Sequence, residues 1–129
     1  FLHASNNFEN INYQVGIPDW DATNTKLSNE DILVTHNLRE LQKVMSDYVG
    51  IVRSDFRLER AMARQGFLHE ETEPFYQRTI LSVKLCELRN VIQVAYLIVK
   101  SAMLRKESRG LHYTTDYPIH AEILEDTIL

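Results

Sequence analysis

From Leu81 onward, apolar residues recur at alternating steps of four and three: Leu81, Leu85, Leu88, Ile92, Ala95, Val99 and Ala102. That spacing keeps them on one face of an α-helix. Val91, Val94 and Ile98 widen the face, which predicts a helix buried on more than one side. Arg89, Gln93 and Lys100 fall on the opposite stripe, where they reach water. A second series, Leu38, Leu41, Met45, Tyr48 and Val52, predicts another helix from near residue 35. Thr35 or Asn37 would cap it, with Val34 just ahead. Gly50 and Ser54 break that pattern, and a shorter helix follows from about Asp55, burying Phe56, Leu58, Met62 and Ala63. Gly66 is its expected stop. Glu70, Glu71 and Glu73 beside Pro74 then predict the start of the longest helix, running from Pro74 to about Ser108, with Gly110 as terminator. Val91-Ile92-Gln93-Val94 alone would suit a strand, but the heptad continues on both sides of it. The expected fold is all-α, a three-helix up-down-up bundle. Residues 1–34 form an irregular leader, 35–118 the helical bundle domain and 119–129 a C-terminal tail.

The leader scatters Asn6, Asn7, Asn10, Asn12, Gly16, Pro18, Asp19, Asp21 and Asn24 without a helical period. Ile11, Tyr13, Val15 and Ile17 alternate, which fits a short extended segment. Either the leader drapes over the helices or it belongs against a neighbouring domain. The chain opens on Phe1 instead of Met, as expected of a piece of something longer.

Composition narrows the classes of function. A chain of 129 residues makes one domain with a modest core. A net charge of -4 and a pI near 5.7 leave no basic face for nucleic acid. Cys86 is the sole cysteine, so no internal disulfide forms, and a reducing, cytoplasmic compartment is expected. The longest apolar run, Val91 to Val99, contains Gln93 and falls far short of a membrane span.

Candidate chemistry is thin. Cys86 lies mid-helix with no adjoining His, which is the setting of a core thiol. The histidines His3, His36, His69, His112 and His120 include no His-x-x-x-His pair, so no zinc site is expected. His112 and Asp116 are close enough in sequence to pair or ligate. Capping accounts for Glu70, Glu71 and Glu73, and a solvated face accounts for the row Arg57, Arg60 and Arg64. The glycines are isolated and build no phosphate loop. No catalytic, cofactor-binding or metal residue is therefore assigned. What stands out is the tail Arg105–Pro118, where Arg109, His112, Asp116 and Tyr117 combine charge with aromatic surface. A helix end explains the cations near Arg105. The aromatics suit a polar interface, so these four residues are expected at a domain interface, largely exposed in this chain alone.

Several segments also carry a resemblance. Ile17-Pro-Asp-Trp-Asp21, Met45-Ser-Asp-Tyr-Val-Gly-Ile-Val-Arg53, Leu58-Glu-Arg-Ala61, Leu88-Arg-Asn90 and Arg105-Lys-Glu-Ser-Arg-Gly-Leu-His-Tyr-Thr-Thr-Asp-Tyr-Pro118 occur in that order. Together they resemble the C-terminal helical domain of the L-aspartate oxidases, within the wider family of succinate dehydrogenase and fumarate reductase flavoproteins. The resemblance implies a parent oxidoreductase that converts L-aspartate to iminoaspartate with FAD, in de novo NAD biosynthesis. It also implies a flavin-binding domain of the same polypeptide as partner, and quinolinate synthase as pathway neighbour. The family's flavin fold and catalytic residues lie N-terminal to this region, so none is carried over, and the chain alone is expected to be inactive. Two alternatives stay open: the equivalent domain of a succinate dehydrogenase or fumarate reductase flavoprotein, and a free-standing helical interaction module.

Overall fold

The structure, a computed structural model, describes residue 16, residues 18–123 and residues 126–128. Three helices carry it: α1 (Asp31–Tyr48), α2 (Asp55–Arg78) and α3 (Val83–Leu104). Two short strands, β1 (Val52–Arg53) and β2 (Tyr113–Thr114), pair in parallel, with Val52 opposite Tyr113 and Arg53 opposite Thr114. The expected all-α three-helix bundle is present. Residues 1–15 and Ile17, where the alternating extended segment was expected, lie outside the described residues.

The core forms in two layers whose membership fixes the up-down-up order. One layer joins Val34 and Leu41 of α1, Leu68 of α2, and Leu85, Leu88, Ile92 and Ala95 of α3. The other joins Val44 and Val49, Leu58 and Ala61, and Val99 and Ala102. The start of α1 therefore meets the second half of α2 and the first half of α3, as antiparallel neighbours must.

Helix boundaries differ from expectation in instructive ways. α1 begins at Asp31, ahead of both expected caps; Thr35 lies inside it, its hydroxyl donating to the Asp31 carbonyl (2.9 Å). α2 runs through Gly66 and Pro74 to Arg78 instead of stopping at Gly66. Its buried stripe is Leu58, Ala61, Gln65, Leu68 and Thr72, an unbroken three-four rhythm in which two core positions are polar. Gln65 is tolerated there because its amide donates to the Ile92 carbonyl of α3 (2.8 Å). Phe56 and Ala63, expected in the core, are exposed. Gly66 also faces outward, where glycine costs only its helix propensity, roughly 1 kcal/mol. The long helix expected from Pro74 to Ser108 is split. Pro74 lacks an N–H and its ring crowds the preceding turn, yet α2 continues to Arg78. The break falls at 79–82, where the Ser82 hydroxyl caps α3 by accepting from the Leu85 amide (3.3 Å). The leader helps hold this break: the Lys26 amide donates to the Arg78 carbonyl (2.9 Å), and the Ile80 amide to that of Lys26 (3.0 Å). Trp20 meets Tyr76 edge to face beside it. Glu70, Glu71 and Glu73 consequently sit within α2 and not at a helix start; Glu73 pairs with Arg89 across to α3 (2.8 Å).

Candidate functional site

After α3 ends at Leu104, the chain turns back over the α1–α2 junction, and the tail's polar residues supply the fastenings. Arg109 and His112 exchange backbone hydrogen bonds (2.8 and 3.1 Å), closing a tight turn in which Gly110 takes a φ of 59°. That left-handed conformation is one glycine reaches at little cost. β2 then pairs with β1, and the Thr115 amide donates to the Arg53 carbonyl (2.9 Å). Ser108 is the hub. Its buried hydroxyl accepts from the Thr114 amide (2.9 Å) and faces the Tyr117 carbonyl at 2.7 Å.

Three ionic clusters surround this hub. Glu107 is buried, and its carboxylate accepts from Arg105 Nη1 (2.8 Å), Arg109 Nε (3.0 Å) and the Ala121 amide (3.0 Å). These donors, Arg109 first, hold its carboxyl down to about 2. Asp55, at the start of α2, accepts from Lys106 Nζ (2.9 Å) and the Tyr117 hydroxyl (3.1 Å). The lysine bond is the main reason its pKa falls below the usual carboxylate value. Asp116 accepts from the Asp55 amide (2.6 Å), so a tail carboxylate occupies the positive end of α2.

The third cluster is Arg53, His112 and Arg105. Arg53 Nη1 lies 2.8 Å from His112 Nδ1, and arginine can only donate, so Nδ1 is unprotonated. The proton is then on Nε2, which donates to the Arg105 carbonyl (3.2 Å). Burial, and after it the Arg53 charge, lowers the pKa of His112 and keeps the ring neutral.

Arg109, His112, Asp116 and Tyr117 are thus brought together, but each is bonded within the chain. The expectation that they are largely exposed here holds for Asp116 alone; Arg109, His112 and Tyr117 are half-buried. Their aromatic and ionic character is used to fasten the tail to β1 and α2.

The N-termini of α2 and α3 are already occupied by side-chain acceptors, Asp116 and Ser54 at α2 and Ser82 at α3; α1 has no side-chain cap and opens on Asp31. Among the described residues no three His, Cys, Asp or Glu side chains converge as metal ligands, and no helix is long and apolar enough to cross a membrane. A groove of about 610 Å³ between α2 and α3 is open and lined mainly by Met62, Ile92, Tyr96 and Leu97, with His69 and Glu70 beside it.

What sequence reasoning missed is the second side of α3. Val91, Val94 and Ile98 were expected to be buried, yet they are 41%, 54% and 43% exposed, and Leu97 beside them is 48% exposed. α1 and α2 cover only the stripe that includes Leu85, Leu88, Ile92, Ala95, Val99 and Ala102. The signal was present, because a helix apolar on both sides needs two coverings.

A family model described as fumarate reductase flavoprotein C-term matches residues 38–123, from within α1 to just past the polar tail Arg105–Pro118. The chain belongs to that family. Among individual relatives, L-aspartate oxidase of Yersinia pestis is 51% identical over 113 residues, covering 88% of this chain and 21% of the relative. L-aspartate oxidase of Pseudomonas aeruginosa is 50% identical over 113 residues, with the same coverage. The chloroplastic L-aspartate oxidase of Arabidopsis thaliana is 46% identical over 89 residues, 65% of this chain and 14% of the relative. The chain thus spans about a fifth of the length of the bacterial relatives. Within this flavoprotein C-terminal family, most of the bundle and the clasped tail fall inside the matched region.

Proposed function

We propose that this chain is the C-terminal helical domain of an FAD-dependent L-aspartate oxidase, the oxidoreductase that converts L-aspartate to iminoaspartate in NAD biosynthesis. Its task is structural: it packs on the flavin-binding domain of the same polypeptide and takes no part in the chemistry. The observation that carries this is the 51% identity to L-aspartate oxidase of Yersinia pestis across 88% of the chain. At that level the fold and the docking surfaces of a domain are retained together. The clasped tail supports the reading, because Arg109, His112, Asp116 and Tyr117 hold a shaped edge that can belong to the domain seam. Quinolinate synthase, which takes iminoaspartate onward, is the pathway neighbour, and the cytoplasm is the proposed compartment.

The test is expression of the polypeptide carrying this chain behind its flavin-binding part, beside this chain alone. The longer product should purify yellow with stoichiometric FAD and oxidise L-aspartate, leaving succinate untouched. This chain alone should retain no flavin through gel filtration and leave aspartate unchanged. Oxidation of succinate in place of aspartate would move the chain to the succinate dehydrogenase branch. Flavin held by the chain alone would overturn the structural role.

A further inference from the structure

The described residues leave an extended apolar surface uncovered on one helix. It is the outer side of α3: Val91, Val94, Leu97 and Ile98, continued by exposed Leu104 at the helix end. From Val91 to Ile98 the helix carries no charge. The one hydroxyl near the strip's end, that of Ser101, donates back to the Leu97 carbonyl (2.7 Å). The strip's own side chains, Val91, Val94, Leu97 and Ile98, carry no polar atom that burial would strand.

α2 makes the contrast. Its exposed aromatics Phe56 and Phe67 stand apart, separated by Arg57, Glu59, Arg60 and Arg64. Isolated apolar residues of that kind are ordinary surface, whereas a contiguous strip marks a contact. At the tail end, Arg53 shares a groove with Val94, Leu97 and Ile98. Its guanidinium is half-buried and bonded to the Val49 and Gly50 carbonyls and to His112. Of the half-buried arginines among the described residues, Arg89, Arg105 and Arg109 each face a carboxylate, and Arg53 does not.

We propose that this outer face of α3 is the seat of the flavin-binding part of the longer polypeptide, which lays an apolar surface on Val91, Val94, Leu97 and Ile98 and brings an acceptor oxygen to Arg53. The inference rests on the parent reading above and specifies the surface it uses. The occupant follows from length. About four-fifths of a bacterial relative lies outside the region matched, and the family model is that of a flavoprotein's C-terminal part. A covalently attached domain also meets this face at a high effective concentration, on the order of millimolar, which a separate copy of the chain does not reach at ordinary concentrations. Interfaces between domains of one chain are more polar than obligate ones, and a strip that ends on a guanidinium is compatible with that mixture.

Thiol labelling tests the assignment. Cys86 is replaced by Ser, and Leu97→Cys, Val94→Cys and, as control, Phe67→Cys are made singly, both in this chain and in the longer polypeptide. Both strip positions are exposed helix sites, so the substitutions leave the core intact, and unchanged melting checks this. Maleimide should modify Leu97→Cys and Val94→Cys at least tenfold more slowly in the longer polypeptide than in this chain, with Phe67→Cys equally reactive in both. Equal labelling at the strip in a flavin-loaded product would overturn the assignment and leave the parent reading standing. A product that holds no flavin would overturn the parent reading, and this assignment with it. Protection already present in this chain would also overturn it: if concentration-dependent, a second copy is the occupant; if not, residues 1–15 are.

Discussion

The tail after α3 and the outer face of α3 are neighbours in sequence and opposites in use. The tail is dense in charge, hydroxyls and aromatics, the composition of a polar interface, yet Glu107, Ser108, Arg109, His112 and Tyr117 find their partners inside the chain. The face of α3 has the composition of a core, yet Val91, Val94, Leu97 and Ile98 have no cover among the described residues. Polar side chains can satisfy one another locally, because each bond needs only one well-placed partner. Apolar surface has no such local remedy; it needs area, and the described residues do not supply it.

The largest expected effect comes from the inner side of α3. Ile92→Ala removes a side chain at the centre of the first core layer and should cost about 2–5 kcal/mol in this chain. Thermal and urea melts measure it. A shift no larger than that of an outer-face substitution would erase the distinction between the two sides of the helix. The hub of the tail comes next. Ser108→Ala strands the buried Thr114 amide, which should cost about 1–3 kcal/mol and speed exchange of the Thr114 and Thr115 amides. Unchanged exchange there would mean that the clasp is held by β1–β2 pairing alone. Arg109→Ala, which removes two of the donors on Glu107, should also lower the melting temperature of the isolated chain. That is the opposite of what an exposed interface arginine would give.

Much of this was legible from spacing. The α3 heptad from Leu85 to Ala102 is the buried stripe residue for residue, and the Gly50–Ser54 break is where α1 gives way to β1 and the cap of α2. The length of α2 was hidden, because Gln65 and Thr72 occupy core positions and an apolar count skips both. The split before α3 was hidden for a different reason. It is held partly by Lys26, more than fifty residues upstream, and no local pattern reports such a contact. In the tail, the type of residue was readable but its partners were not: Arg53 and Asp55 lie across the fold, and only the β1–β2 pairing brings them to His112 and Tyr117.

Acidification should loosen the tail before the bundle. His112 titrates below the usual 6.5 in the folded chain, so as pH falls through that value the unfolded state takes up the proton first and stability declines. Protonated Nδ1 cannot accept from Arg53, and two cations then face each other. Glu107 adds a lower step. Its contribution is whole above the usual 4.5 and disappears as pH falls through about 2. Histidine ring shifts and tail amide exchange between pH 7.5 and 4.5 would follow the first step. A His112 titration at or above 6.5 would place the ring outside the Arg53 bond and weaken the case for a self-contained clasp.

The smallest effect is the sharpest test of the contrast. Leu97→Ser, at the middle of the outer face, should change the stability of this chain by no more than about 0.5 kcal/mol, because an exposed side chain loses little on truncation. A smaller change in the tail, Tyr117→Phe, should cost more, about 0.5–1.5 kcal/mol, since it deletes a half-buried bond to Asp55. The order would reverse in the longer polypeptide if the flavin-binding part covers α3. There Leu97→Ser loses the burial of a leucine, worth about 1.5–3 kcal/mol, while Tyr117→Phe keeps its small effect. Paired melts of both variants in both contexts therefore separate a face waiting for its domain from one that is merely greasy. If Leu97→Ser is silent in both contexts, the apolar strip is ordinary surface and the seam lies elsewhere.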